Sequence, residues 1–293
     1  MPLPHTPASI VLTNSIEMDT YYKVLSIAGS DCSGGAGIQA DIKTCSAIGV
    51  YAMTAITAIT AQNTTDITGI MNVSPEIVGK QIDAIFNDDL RPDAVKIGML
   101  SSREIIEVVA ERLSEYKPQH IVLDPVMVST SGCKLIDDRA IDALISRLIP
   151  ISTLITPNRP EAELLAGLKI SAKDDITTAA LNIMSLGVDA VLIKGGHFDG
   201  YNATDYLFTD GKPSPVKFES MHFKTRNTHG TGCTLSSAIA AYLALGSDRV
   251  SAIIKAKKYI SQAIMEGGRI AIGRGHGAVN HFYSPSPLKT HTL

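Results

Sequence analysis

The stretch V-L-S-I-A-G-S-D-C-S-G-G-A-G-I-Q-A-D-I-K-T-C-S-A-I, residues 24–48, contains the unit from which the rest of the chain is built. Its first five residues are apolar or small, and they predict a short buried strand that runs into Gly29. A loop rich in glycine and serine follows, and the remainder predicts a helix that ends near Ile48. A strand, a polar loop and a helix in this order are typical of α/β proteins.

The same order of elements recurs along the chain. Further strands are predicted at 51–60, 94–98, 121–123 and 190–194, and long helices at 103–116, 232–245 and 248–267. Residues 206–223 depart from this pattern and predict a small β-hairpin around Asp210 and Gly211. We therefore predict a three-layer α/β/α fold with a central, mostly parallel sheet that is covered on both faces.

The chain shows no internal repeat and no low-complexity linker, so residues 23–275 are predicted to form a single domain. Residues 1–22 are predicted to be a poorly ordered N-terminal arm. Residues 276–293 are predicted to be a loose C-terminal tail.

Composition narrows the function classes. Charged residues are 19% of the chain and the net charge is only −3, so nucleic acid and anionic membranes have no electrostatic support as partners. The 4 cysteines form no C-x-x-C pair, which argues against a disulfide framework or a zinc site and favours a reducing compartment. No Lys or Arg precedes Lys23, and no apolar run has the length of a membrane helix. We expect a soluble, cytoplasmic protein.

A second stretch, N-T-H-G-T-G-C-T-L-S-S at 227–237, places a glycine turn directly before a predicted helix. The first N–H groups of a helix attract anions, so this turn suits a phosphate oxygen. A side chain at Gly230 or Gly232 would keep the anion from the backbone. Cys233 is at the helix start, where the pKa of a thiol is expected to fall below about 8.5. The plainer interpretation is a glycine cap on a core helix with an inert cysteine.

Ligands of parallel sheets collect at the carboxyl ends of the strands. The polar and small residues that follow the predicted strands should therefore meet Cys233 at one rim of the sheet. These residues are Asp31, Gln62, Met99, Asp124, Asn158, Glu161 and Lys194.

Two familiar phosphate-binding patterns do not apply. Residues 35–40 fit G-x-G-x-x-[GA], but the acidic residue expected roughly 20 positions later is missing between Ala55 and Ile59. An NAD-dependent oxidoreductase is therefore a weak alternative. The P-loop pattern G-x-x-x-x-G-K-[ST] occurs nowhere in the chain.

Six motifs occur in a recognisable order: G-S-D-C-S-G-G-A-G-I-Q-A-D-I-K-T (29–44), K-I-G-M-L (96–100), D-P-V-M-V (124–128), T-P-N-R-P-E (156–161), K-G-G-H (194–197) and H-G-T-G-C-T-L-S (229–236). Together they resemble the hydroxymethylpyrimidine/phosphomethylpyrimidine kinases, which belong to the ribokinase-like superfamily. The resemblance runs from about Lys23 to Gly273.

The resemblance implies a ribokinase-like fold and a kinase that uses ATP and Mg²⁺. Such an enzyme phosphorylates 4-amino-5-hydroxymethyl-2-methylpyrimidine and then adds a second phosphate, for thiamin biosynthesis. It also implies a homodimer. Most ribokinase relatives have Asp where this chain has Cys233, whereas the cysteine resembles the pyrimidine kinases and some pyridoxine kinases. A pyridoxine-type vitamin kinase is therefore the alternative.

The resemblance assigns the pyrimidine end of the site. The Gln62 amide offers one donor and one acceptor, as needed to read an amino group beside a ring nitrogen. Asp41 matches a family position that contacts the pyrimidine, although acids early in helices are common for dipole reasons alone. The remaining residues expected to contact the pyrimidine are small or apolar, and ordinary core packing would also explain their presence. They are Gly29, Ala36, Met99 and Val126.

The phosphate end follows from the same resemblance. Asp124 and Glu161 are the carboxylates expected near Mg²⁺, although Glu161 after Pro160 could equally be a structural acid. Lys194 ends an apolar strand, where its charge needs an anion such as phosphate. Cys233 is the predicted base or proton relay, beside the backbone of Gly230 and Gly232. Further nucleotide contacts are expected from Asn158 and Thr231.

Overall fold

The computed structural model describes residues 18–127, 135–136, 138–195, 202–209, 212–221 and 223–292. A nine-stranded sheet forms the centre of this part of the chain. In chain order the strands are β1 (Asp19–Tyr21), β2 (Lys23–Asp31), β3 (Tyr51–Gln62), β4 (Ile67–Asn72), β5 (Ala94–Ile97), β6 (Ile121–Leu123), β7 (Leu154–Ile155), β8 (Ala190–Ile193), β9 (Asn202–Thr209), β10 (Val216–Met221) and β11 (Thr290–Thr292). Strands β1 and β11 form a separate short pair, and the other nine strands form the central sheet.

The strand order in the central sheet is β10-β9-β8-β7-β6-β5-β2-β3-β4. The six strands from β8 to β3 in this order are parallel. Antiparallel strands flank them, with β4 on one edge and the hairpin of β9 and β10 on the other. The carboxyl ends of all six parallel strands therefore lie along one rim.

Helices cover both faces of the sheet. They are α1 (Gly37–Ile48), α2 (Pro75–Asn87), α3 (Arg103–Tyr116), α4 (Asp138–Ala143), α5 (Arg159–Ala166), α6 (Lys173–Met184), α7 (Thr231–Ala244) and α8 (Arg249–Gly267). A π-helical turn (Leu144–Leu148) and a 3-10 turn (Ile149–Ile151) extend α4. Serine caps fix the first residues of α2 and α3, because the hydroxyls of Ser74 and Ser102 accept hydrogen bonds from the N–H groups of Ile77 and Ile105.

Two apolar cores separate the three layers. Successive residues of a strand point to opposite faces, so Leu25 packs in the core that includes α2, α3, α5 and α6. Its neighbour Val24 packs in the other core, which includes α1, α7 and α8. Because both faces of the parallel strands are buried, these strands are mostly apolar, as a parallel sheet requires. The predicted three-layer fold is confirmed.

The edges and ends of the chain differ from the sequence-based expectations. Strand β4 was not predicted, and the hairpin begins at Asn202, with Asp210 and Gly211 outside the described residues. The segment 276–293 is not loose throughout, since Val279 and His281 are buried and β11 pairs with β1. Residues 19–21 of the predicted arm form that strand, while 1–17 lie outside the described part. Within the described part, no helix is both long and apolar enough to cross a membrane.

Candidate active site

The loop after β2 is held in shape by one buried carboxylate. Asp31 accepts hydrogen bonds from the N–H groups of Ser33, Gly35 and Ala36, and its other near neighbour is His229, with 2.8 Å between Oδ2 and Nε2. Burial alone would raise the pKa of Asp31, but the bonds from His229, Ser33 and Ala36 outweigh burial and lower it to about 2. Asp31 is therefore an ionised acceptor at neutral pH, and its role is to order the loop.

The glycine turn before α7 packs directly against this first loop. Gly230 has φ 77°, and a Cβ there would collide with the carbonyl oxygen of Gly35. A Cβ at Gly35 would in turn collide with the ring of His229. The expectation that Gly230 keeps space for an anion is therefore corrected, because its missing side chain makes room for protein backbone. The two loops form one interlocked unit.

Gly232 is the glycine that faces the site. A Cβ built on it would lie 3.5 Å from the Asp124 carboxylate and 3.6 Å from the Lys194 ammonium, both ordinary contacts. In the described part of the chain, the N–H groups of Gly232 and Cys233 have no acceptor, whereas that of Thr231 donates to the Thr228 carbonyl oxygen. Two donors at a helix start beside an ammonium group suit an anion.

Asp124 and Lys194 form the charged centre of the rim. Lys194 Nζ donates to Asp124 Oδ1 at 2.8 Å, and Thr156 and Ser236 donate to the same carboxylate at 3.2 and 3.3 Å. Burial opposes the charge of Asp124, but Lys194 and Lys96 outweigh it, so the pKa of Asp124 lies below its ordinary value. Burial also opposes the charge of Lys194, but the carboxylates raise its pKa. The rim therefore holds an ion pair whose lysine is 15% exposed and can reach a ligand.

Glu161 and Asn158 start α5 by capping each other. The Asn158 side chain accepts from the Glu161 N–H at 2.9 Å, and Glu161 accepts from the Asn158 N–H at 2.8 Å. Burial, reinforced by the charge of Asp124 and opposed by Lys194, raises the pKa of Glu161 to about 7. Glu161 thus caps α5, and the metal and nucleotide contacts predicted for Glu161 and Asn158 stay predictions.

The carboxylates fit Mg²⁺ only as an ion that keeps most of its waters. No group of three or more His, Cys, Asp or Glu in the described ranges could hold a metal by itself. Mg²⁺ usually takes one or two carboxylates together with waters and substrate phosphates. Asp124 and Glu161 influence each other electrostatically, and a nearby cation would relieve the cost of ionising buried Glu161.

The environment of Cys233 differs from the expectation. Burial raises the pKa of its thiol to about 11, although Lys96 and a hydrogen bond from the Gly37 N–H act in the opposite direction. The prediction of a lowered pKa is therefore wrong, because loss of water outweighs the helix start. At neutral pH Cys233 is a protonated thiol.

A small apolar cluster forms a wall near the carboxyl ends of β3 and β5. Met99, Ala58 and Leu135 form one buried cluster, and Val126 packs against it. A Cβ at Gly29 would lie 3.2 Å from the Met99 sulfur, so the glycine brings backbone close to this wall. The structure thus brings Gly29, Met99 and Val126 together. Ala36 lies in the adjoining loop and donates its N–H to Asp31.

Asp41 does not reach this wall. It is 1% exposed and pairs with fully buried Lys96 at 2.8 Å, while Ser26 and Ser237 donate to its two oxygens. The predicted pyrimidine contact is therefore corrected, because every side of the carboxylate is engaged beneath the site. Sequence could not reveal this, since the partners come from three separate elements, β2, β5 and α7.

Gln62 reaches the same rim from the end of β3. Its Nε2 lies 3.4 Å from His229 Nε2, and its Oε1 lies 3.3 Å from Thr60 Oγ1. The sequence left His229 without a role, although its place beside Gly230 was a signal. His229 therefore links the end of β3, which carries Gln62, to the turn that leads into α7, which carries Cys233.

A rim that combines an anion site, an ammonium group and buried carboxylates on a mostly parallel sheet defines a small-molecule phosphotransferase. Residues 31–280 match the family model described as phosphomethylpyrimidine kinase. The chain belongs to this family of kinases.

Individual relatives agree with this assignment. The chain is 50% identical over 260 residues to the hydroxymethylpyrimidine/phosphomethylpyrimidine kinase of Rhizobium meliloti (strain 1021), covering 88% of this chain and 96% of the relative. The crystal structure of phosphomethylpyrimidine kinase from Clostridium difficile 630 has 48% identity and a TM-score of 0.73, covering 83% and 99%. An ADP complex of Bacillus subtilis pyridoxal kinase has 37% identity and a TM-score of 0.81, covering 89% and 98%.

Proposed function

We propose that this kinase transfers phosphate from ATP to 4-amino-5-hydroxymethyl-2-methylpyrimidine, and then adds a second phosphate to the monophosphate. The observation that carries the proposal is the division of the rim into two chemically different ends. Gln62 at the end of β3 offers the donor and acceptor that an aminopyrimidine edge needs, and Met99 and Val126 offer apolar contacts for the ring. The free N–H groups of Gly232 and Cys233 offer the phosphate site. The relative from Rhizobium meliloti carries the corresponding name.

Phosphoryl transfer depends on positioning and on neutralising charge, because its transition state is loose. The N–H groups of Gly232 and Cys233 hold the transferring phosphoryl oxygens in this proposal, and the Lys194 ammonium neutralises their charge. Thr231 and Asn158 contact the nucleotide. Asp124 keeps Lys194 in place through the ion pair described above.

Mg²⁺ supplies charge neutralisation to the nucleotide phosphates when it is bound. Asp124 and Glu161 are the residues of this chain that would hold the hydrated ion. Support comes from the electrostatic influence of Asp124 on Glu161, since the charge of Asp124 helps to raise the pKa of Glu161 and a cation between them would oppose that effect.

Cys233 handles the proton of the acceptor alcohol in this proposal. Because its thiol is protonated at neutral pH, it acts as a relay that takes the alcohol proton at Sγ and passes its own proton to a phosphoryl oxygen. The oxygen freed of its proton forms the new P–O bond while the bond to the leaving ADP oxygen breaks.

A vitamin kinase for pyridoxine-type acceptors is the second candidate, and the likeness to a pyridoxal kinase favours it. The deciding experiment measures ATP-dependent phosphorylation of the hydroxymethylpyrimidine beside pyridoxine, with products separated by charge. Formation of both the mono- and the diphosphate of the pyrimidine supports the proposal. Turnover of pyridoxine without turnover of the pyrimidine would overturn it.

We also propose a homodimer in the cytoplasm. Exposed apolar side chains at the β4 edge, on Ile59, Ile70 and Met71, suit burial against a second copy. The free thiols of the described cysteines suit a reducing compartment. Sedimentation analysis and cell fractionation test the two statements.

A further inference from the structure

The side chain of Gln62 lies between two groups that restrict its orientation. One is His229, whose Nε2 is 3.4 Å from the amide nitrogen as placed, and the other is Thr60, whose Oγ1 is 3.3 Å from the amide oxygen. An amide can turn by 180° and exchange these two atoms, so its orientation follows from the hydrogen bonds around it.

The His229 end requires an acceptor. His229 Nε2 is also 2.8 Å from Asp31 Oδ2, and both of these side chains are buried. The Asp31 carboxylate can only accept, since it already accepts from three backbone N–H groups and is ionised at neutral pH. His229 Nε2 must therefore carry a proton, whether the ring is neutral or charged. A second donor, the amide nitrogen of Gln62, has no acceptor there.

The Thr60 end requires a donor. A threonine hydroxyl has one proton, and that of Thr60 points to the Ser30 carbonyl oxygen at 2.9 Å, which can only accept. Thr60 Oγ1 therefore offers only lone pairs to Gln62. The amide nitrogen satisfies this end, whereas the amide oxygen would leave two acceptors facing each other.

Both ends thus select the same orientation. We infer that His229 and Thr60 lock the Gln62 amide with its oxygen toward His229 and its nitrogen toward Thr60, and that His229 is a positioning residue that sets acceptor specificity. Asp31 completes the lock because it holds the His229 ring. The lock links β3 to the glycine turn before α7.

The locked amide has one acceptor and one donor left for a ligand, in a fixed order. A 4-aminopyrimidine presents an amino donor beside a ring-nitrogen acceptor, and the 4-oxo analogue presents the reverse order. A freely turning Gln62 would read both, whereas a locked one rejects the oxo compound through unpaired polar groups. This inference rests on the proposed function, because it assumes that Gln62 reads the pyrimidine.

His229→Phe tests the lock, because phenylalanine keeps a ring above Gly35 and removes the N–H donor. The values of kcat/KM for the 4-amino and 4-oxo forms of 5-hydroxymethyl-2-methylpyrimidine are compared in the parent and the variant. We expect the preference for the amino form to fall by about tenfold or more through KM, with the KM for ATP unchanged. Thr60→Val removes the lone pairs that face the amide nitrogen of Gln62, so it should also reduce the preference for the 4-amino over the 4-oxo pyrimidine.

Gln62→Leu provides the control that separates a lock on Gln62 from a general structural role of His229. In this background the lock has nothing to hold, so adding His229→Phe should leave the amino-to-oxo ratio unchanged. Melting curves identify any variant that fails to fold, and Thr60→Val then decides alone. An equal loss on both pyrimidines, or an effect of His229→Phe that persists without Gln62, would refute the lock while the kinase function stands. A parent enzyme that phosphorylates neither pyrimidine would overturn the proposed function and the lock together.

Discussion

Replacing Cys233 with alanine should separate the two phosphoryl transfers. The first acceptor is a primary alcohol, which must lose a proton during attack. The second is a phosphate monoester, whose second pKa is about 6 and which is mostly ionised at neutral pH. Positioned proton-transfer groups contribute about 10²–10⁴-fold. We therefore expect Cys233→Ala to slow the first transfer by a factor in that range and the second much less.

The environment of the thiol decides how Cys233 acts. With a pKa of about 11, only about one thiol in 10⁴ is ionised at pH 7. If Cys233 acted as a base only in its ionised form, the small ionised fraction would lower the rate by about as much as general base catalysis raises it. Such a base would give no net rate gain at pH 7. A relay avoids this loss, because the thiol passes its proton on as it receives another. The Cys233-dependent rate of the first transfer should therefore not rise tenfold with each pH unit between pH 7 and 9.

The assay follows single turnovers with each acceptor supplied separately and products resolved by charge. Cys45→Ala is the matched control, since Cys45 is a buried thiol in α1 that belongs to the core. Cys233→Asp, which restores the residue common in ribokinase relatives, should recover part of the first transfer. An equal small loss in both transfers for Cys233→Ala would refute the relay, because a packing residue serves both steps alike.

Gln62→Leu should raise the pyrimidine KM about tenfold or more and leave the KM for ATP unchanged, since polar atoms of the ring lose their partners; an unaltered pyrimidine KM would remove Gln62 from the site. Asp124→Asn and Glu161→Gln should each raise the Mg²⁺ concentration needed for half-maximal activity, and parental Mg²⁺ dependence in both would make these acids structural. Because the pKa of Glu161 is raised from 4.5 to about 7, the folded state binds more protons than the unfolded state between these values. Stability is therefore lost as pH rises through this window, and Glu161→Gln should melt at a higher temperature than the parent at pH 8 without ligands. Gly230→Ala should lower the unfolding free energy by at least about 1–3 kcal/mol, because Gly230 has a positive φ and packs against Gly35. Gly232→Ala should keep the parental melting temperature but transfer phosphate slowly, because its Cβ has space in the protein and faces the proposed phosphate site. The reverse ranking in melting experiments would contradict the assigned roles of the two glycines.

The layers of the fold were predictable because the signals are local and strong. Helix α3 has the predicted bounds, 103–116, since a serine cap precedes an apolar stripe of helical period. The rim could also be anticipated, because parallel strands end on the same side. Edge strand β4 escaped prediction, since its residues are mostly exposed and lack the alternation of a half-buried strand.

The errors within the site share a physical cause. Whether Asp41 faces a ligand or a buried lysine depends on partners from other elements, which sequence spacing does not reveal. The pKa of Cys233 likewise depends on how much water the surrounding layers exclude. The residue types at the motif positions therefore predicted which residues gather around the site, but they did not predict which of these residues face a ligand.

The stretch 229–233 joins the two ends of the proposed site in one turn of backbone. In the proposed site His229 orients Gln62 for reading the acceptor, while the N–H groups of Gly232 and Cys233 would bind the phosphate. Gly230 fixes the turn between them against Gly35. A shift of this turn would therefore disturb acceptor recognition and phosphate placement at the same time. Transfer depends on reacting atoms being about 3–3.5 Å apart, so a single rigid turn that carries both functions keeps their separation constant. This accounts for the tight packing of Gly230 against Gly35.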